Sequence, residues 1–85
     1  MSRSVVLTSR ARRDLRKLDA ETAPRIVGGL RRFAEAEEGD VAKLRGIDPP
    51  EYRLRVGEYR VRFRYGDAGE LEVLRVGHRR DVYRR

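Results

Sequence analysis

Five arginines alternate with apolar and aromatic residues in YRLRVGEYRVRFRY, residues 52–65: Arg53, Arg55, Arg60, Arg62 and Arg64. A little downstream, GHRRDVYRR holds His78, Arg79, Arg80 and Tyr83. The arginines suit phosphate, because a planar guanidinium offers paired N–H donors to two oxygens at once. His78 adds a side chain that exchanges a proton near neutral pH. Together these types sketch metal-free cleavage of a phosphodiester, in which a ribose 2′-hydroxyl attacks the adjacent phosphorus. Such a site removes a proton, stabilises charge on the phosphoryl oxygens and protonates the leaving oxygen. Arginine stays protonated. The proton transfers therefore fall to other groups, and His78 is the neutral-pH titrator present.

Blander readings exist for each residue. A charge run is usually a solvated face, a lone histidine at a strand end is more often structural, and a terminal tyrosine more often packs. A merely solvated face, however, mixes signs. Here the acids Glu51, Glu58, Asp67 and Glu70 stand at turns and strand ends, so the arginine face is expected to lack neutralising partners.

The elements that must position these residues follow from periodicity. Residues 51–56 and 59–65 read as strands joined by Gly57-Glu58, and glycine first in a two-residue loop favours a type II′ hairpin. That hairpin fixes the register: Val56 opposite Tyr59, Arg55 opposite Arg60, Leu54 opposite Val61, Arg53 opposite Arg62, Tyr52 opposite Phe63. Arginine thus faces arginine twice, which is destabilising in cross-strand pairs. If GDAG (66–69) is a simple connection to a strand at 70–76, Arg75 falls opposite Arg60. Upstream, RSVVLT (3–8) reads as a first strand. Thr8 or Ser9 caps a helix with Ala11, Leu15 and Leu18 on one side. A second helix from about Thr22 carries Ile26, Val27, Leu30, Phe33 and Ala34, with Gly28-Gly29 in its middle. VAKLRGIDPPE reads as a loop. The expected fold is α+β, in the order β-α-α-β-β-β: an antiparallel sheet with a two-helix hairpin on one face.

Bulk properties agree. The 85 residues are read as one domain, 1–85, with a thin core, since a chain this short buries only about 60% of its unfolded surface. There is no cysteine and one histidine, which excludes disulfides and the usual zinc ligand sets; no metal or cofactor is expected. The apolar run near the N-terminus is too short for a signal peptide or membrane span, so the expected location is cytoplasmic and no membrane partner is expected. The net charge of +7 is distributed unevenly: residues 1–40 hold nine basic against seven acidic side chains, residues 41–85 twelve against seven. Nineteen of the 21 basic residues are arginine. Codon bias explains that preference but not the clustering, which is the footprint of a polyanion binder.

KLRG (43–46), YRLRVGEYRVRF (52–63), VGHRRDVYR (76–84) and the first helix, RARRDLRKLD, resemble the RelE-type mRNA interferases of the RelE/ParE toxin superfamily. The resemblance covers nearly the whole chain. It implies a compact α+β toxin encoded beside an antitoxin that wraps and neutralises it, in a complex of higher order. It further implies a toxin that enters the ribosomal A site and cuts mRNA there without a metal. By position, Arg53 and Arg55 match the basic residues of the strand after KLRG, and Arg60 the arginine that contacts the scissile phosphate. Arg79 matches the arginine of a post-strand G-x-R element, and Tyr83 a tyrosine that positions or stacks on substrate. With His78, these form the candidate catalytic set. Lys43 and Arg45 match a basic loop pair, and with Arg62, Arg75 and Arg80 they are candidates for RNA or ribosome contact. Two alternatives stay open: a ParE-like inhibitor of DNA gyrase that binds without cutting RNA, and a plain nucleic-acid-binding module or decayed toxin.

Overall fold

The computed structural model describes residues 2–81; Tyr83 lies outside them. The chain runs β1 (Val5–Leu7), α1 (Ser9–Arg16), α2 (Thr22–Ala36), β2 (Asp40–Lys43), β3 (Tyr52–Val56), β4 (Tyr59–Tyr65) and β5 (Leu71–His78). The five strands form one sheet in the order β1-β5-β4-β3-β2, antiparallel except for the β1–β5 pair. The α+β class stands as expected, with one strand more. Residues 41–43, expected as loop, join Asp40 in pairing with 52–55 to form the edge strand β2. Its signal is faint because only Val41 and Ala42 are apolar, and β3 supplies the ladder that holds it.

Local chemistry explains the helices. The Thr8 hydroxyl accepts from the Ala11 N–H and so caps α1. At α2, the Asp19 carboxylate accepts from the N–H groups of Glu21 and Thr22. Hydrogen bonds to Thr22, from side chain and then backbone, hold its pKa below the ordinary value. Glu37 ends the helix in the left-handed conformation.

The core lies between α2 and one face of the sheet. Ile26, Leu30 and Phe33 meet Leu54, Val61, Phe63 and Val76, all buried, with Ala11 contributed by α1. The Phe33 and Phe63 rings sit 5.6 Å apart. Of the mid-helix glycines, Gly29 is required by closeness to the sheet: a Cβ there would stand 2.8 Å from Val56 Cγ2. A Cβ on Gly28 would meet only the Arg32 guanidinium, at 3.6 Å.

Helix α1 does a different job. β1 stops at Leu7, and α1 takes over the exposed edge of β5 beyond it. The Thr8 N–H donates to Val73 O, its hydroxyl donates to Leu74 O, and the Asp14 carboxylate accepts from the Val76 N–H at 2.9 Å.

Candidate active site

The apolar residues of β3 and β4 turn toward the helices, which sends the arginines to the other face of the sheet. The β3–β4 register is the expected one, pair for pair, with Gly57 at φ +59° in the turn. The expectation for Arg75 is corrected. The connection spans residues 66–70, and an irregularity beside Arg62 and Phe63 leaves Leu74 without a partner on β4. Arg75 therefore stands opposite Arg62, and Arg60 stands opposite Gly77. The bulge keeps Leu71, Val73 and Val76 all facing the core despite their uneven spacing. Two rows result: Arg53, Arg62 and Arg75 across the middle, and Arg55, Arg60 and Gly77 near the hairpin tip.

The arginine face is not left unneutralised, contrary to expectation. Asp40, brought alongside by β2, lies 3.4 Å from Arg53 Nη1 and 3.8 Å from Arg55 Nη1. Glu51 pairs with Arg62, both mostly buried. Glu72 accepts from Arg64 at 2.6 and 2.9 Å. Arg75 Nε donates to Asp14 Oδ2 at 3.0 Å. Arg60 differs. Its guanidinium reaches only the carbonyls of Gly57 and Tyr59, at 3.4 and 3.3 Å, and has no carboxylate partner among the described residues. Gly77 opposite it has no side chain to fill the space on that face. Exposed ion pairs contribute about 0–1 kcal/mol, so Arg55, half exposed and 3.8 Å from Asp40, is readily released. The anion-receptive part of the face is thus the hairpin-tip row, not the whole sheet.

The C-terminal residues are arranged around the same end. The Arg79 N–H donates to Glu58 O at 2.9 Å and its Nε pairs with the Glu58 carboxylate at 3.1 Å, both side chains exposed. Arg80 is exposed, and its N–H donates to His78 Nδ1 at 3.3 Å. His78 pairs across the ladder with Tyr59 and shares the helix-side face with it, its ring edge-on at 5.8 Å. The structure therefore separates His78 from Arg53, Arg55, Arg60 and Arg62 by the thickness of the sheet. Lys43 pairs with Tyr52 at the far end of β2, and Arg45 lies in the exposed turn that follows, both away from the Arg60 row.

Two partners of the arginines were missed in the sequence, and only one of them left a signal there. Asp14 falls three residues after Ala11 and one before Leu15, on the apolar side of α1. A carboxylate at such a position is the signal of a buried polar contact. Asp40 carried no such signal, because its role depends on β2.

Comparison with known proteins agrees with this architecture. Residues 5–83 match the family described as the ParE toxin of the type II toxin–antitoxin system parDE. The chain is 36% identical to toxin RelG of Mycobacterium tuberculosis in an alignment of 94 positions covering all of both chains. Among solved structures, the toxin–antitoxin complex RelBE2 of Mycobacterium tuberculosis is similar at 31% identity and a TM-score of 0.66, covering 95% of each chain. The archaeal RelE–RelB complex of Pyrococcus horikoshii shares the fold, with a TM-score of 0.72 at 24% identity, over 93% of this chain and 97% of that one.

Proposed function

The chain belongs to the RelE/ParE superfamily of type II toxin–antitoxin toxins, and from that premise we propose that it is a ribosome-dependent endoribonuclease that cuts mRNA in the A site. The observation that carries this reading is Arg60: alone in its row it has no carboxylate, and it faces Gly77 across an open surface. A phosphate bound there meets Arg60 first, with Arg55 and Arg79 at its flanks. In the reaction, the 2′-hydroxyl gives up its proton to solvent as its oxygen bonds to phosphorus, and the bond from phosphorus to the 5′-oxygen breaks as that oxygen takes up a proton from solvent, leaving a 2′,3′-cyclic phosphate and a 5′-hydroxyl. Arg60, Arg55 and Arg79 stabilise the charge that builds on the phosphoryl oxygens.

The arginine face, among the described residues, holds no histidine; His78 lies on the other face. The chain's contribution on that face is electrostatic and positional, with Tyr83 in the tail as a further substrate contact. Such a site depends on its substrate being presented in the reactive geometry, and orientation of that kind supplies a large part of a rate enhancement. This supports dependence on the ribosome. The reading also takes a RelB-type antitoxin as the partner that neutralises the chain.

Arg60→Ala tests the assignment. Growth arrest on expression is expected to disappear while antitoxin binding and melting temperature stay unchanged. Arrest at the wild-type level in this variant overturns it. A second reading, inhibition of DNA gyrase by binding, is favoured by the ParE description of the matching family. It requires loss of supercoiling activity with mRNA left intact.

A further inference from the structure

We propose that the groove between Gly28-Gly29 of α2 and the open end of β3 is a second phosphodiester-binding site, one that holds the RNA strand beyond the reaction centre; its ligand class rests on the ribonuclease reading. The groove has a volume of about 520 Å³ and is lined by Arg25, Arg32 and Arg55 together with Gly28, Gly29 and Gly57. It exists because β2 begins at Asp40 opposite Arg55, so the edge of β3 at Val56 and Gly57 has no neighbouring strand. One carboxylate, Glu38, lies in its wall against the three guanidinium groups. Neither Arg25 nor Arg32 forms an ion pair among the described residues.

Gly28 is the second observation. Packing accounts for Gly29 but not for Gly28, where a methyl group would fit with only the Arg32 guanidinium in reach. Glycine in a helix interior costs about 1 kcal/mol relative to alanine. A bare backbone at Gly28 keeps that wall open to a bulky ligand.

Continuity decides the occupant. Arg55 belongs both to the groove and to the row that holds Arg60, and an adjoining depression of about 290 Å³ shares Arg25, Arg55 and Gly57. A strand whose scissile phosphate sits at Arg60 passes the hairpin tip and brings its next phosphates to Arg25 and Arg32. An acidic protein segment would meet the same charges but has no reason to follow that path.

The test uses the full-length protein and a 2′-O-methyl RNA of about 12 nucleotides, long enough for an extended single-strand site and unable to be cleaved. Affinity is measured against salt by fluorescence anisotropy. The Arg25→Ala/Arg32→Ala variant is expected to bind more weakly and to flatten the salt slope by about 1.4, the value for two lost contacts to a single strand. Gly28→Leu is expected to weaken binding with every charge retained. Arg12→Ala/Arg13→Ala, on the exposed side of α1, is the control and is expected to keep the wild-type slope. An unchanged slope in the Arg25/Arg32 variant, an equal loss in the control, wild-type affinity in Gly28→Leu, or no RNA binding by the wild type overturns the proposal. So does loss of antitoxin affinity alone, which would assign the groove to an acidic protein segment. Cleavage on programmed ribosomes is scored separately: if Arg60→Ala abolishes it while the groove variants bind RNA normally, the groove fails and the nuclease reading stands.

Discussion

Arg60 and Arg62 are two positions apart on one strand and share a face, yet they stand in opposite electrostatic situations. Arg62 is held by Glu51 in a largely buried pair, whereas Arg60 has only carbonyl partners. Alternation in the sequence reveals the shared face but not this difference, since Asp40 and Glu72 reach the arginines from neighbouring strands and Glu51 from the residue just before β3. The sites of Arg53 and Arg55 are set by one acid. Asp40 lies near both guanidinium groups and is half exposed, so it competes with an incoming phosphate at little cost to the fold. Asp40→Asn is expected to raise RNA affinity at low salt about two- to fivefold, the scale of one exposed ion pair, with the gain fading as salt rises. Anisotropy titrations across a salt series check this, and unchanged affinity at low salt would count against competition by Asp40.

Among the elements, the hairpin was fully legible because a two-residue turn leaves no freedom in register, and both helices were legible from their apolar sides. The β4–β5 register was not. It depends on a five-residue connection and on the bulge that leaves Leu74 unpaired on β4, and neither has a local sequence signature as sharp as a Gly-led turn. Strand β2 was missed for a related reason: its existence is decided by pairing with β3, not by its own residues. Asp14 shows what such tertiary decisions are worth. Its carboxylate binds the Val76 N–H and Arg75, and Arg10 approaches at 3.5 Å. Asp14→Ala strands the buried Val76 N–H and takes a carboxylate away from Arg75, a loss of about 1–3 kcal/mol. Urea denaturation is expected to show a lowered midpoint and an unfolding free energy reduced by that amount, while Asp67→Ala, at an exposed turn, stays within about 0.5 kcal/mol of the wild type. Equal midpoints for the two variants would contradict the role of α1 as a cover for the β5 edge.

At the scale of the whole molecule, a small core is combined with a strong surplus of positive charge. Eleven hydrophobic residues are buried among those described, and Val5 and Val27 remain exposed beside a groove between β1 and the helices. A chain built this way gains stability from any partner that binds only the folded state. Its complex with the cognate antitoxin is expected to melt well above the isolated toxin, in a manner that depends on concentration; calorimetry of both checks this, and equal melting temperatures would speak against it. The same charge surplus favours polyanionic partners, and in the proposed function the Arg60 row is where the reacting phosphate is held.

Primer-extension mapping of a defined mRNA, incubated with the protein in the presence and absence of programmed ribosomes, tests the central claim most directly. Cleavage at codon positions that appears only with ribosomes, and is lost in Arg60→Ala, is the expected result. Intact mRNA in both reactions would contradict the nuclease account and leave the arginine row as a surface for binding alone.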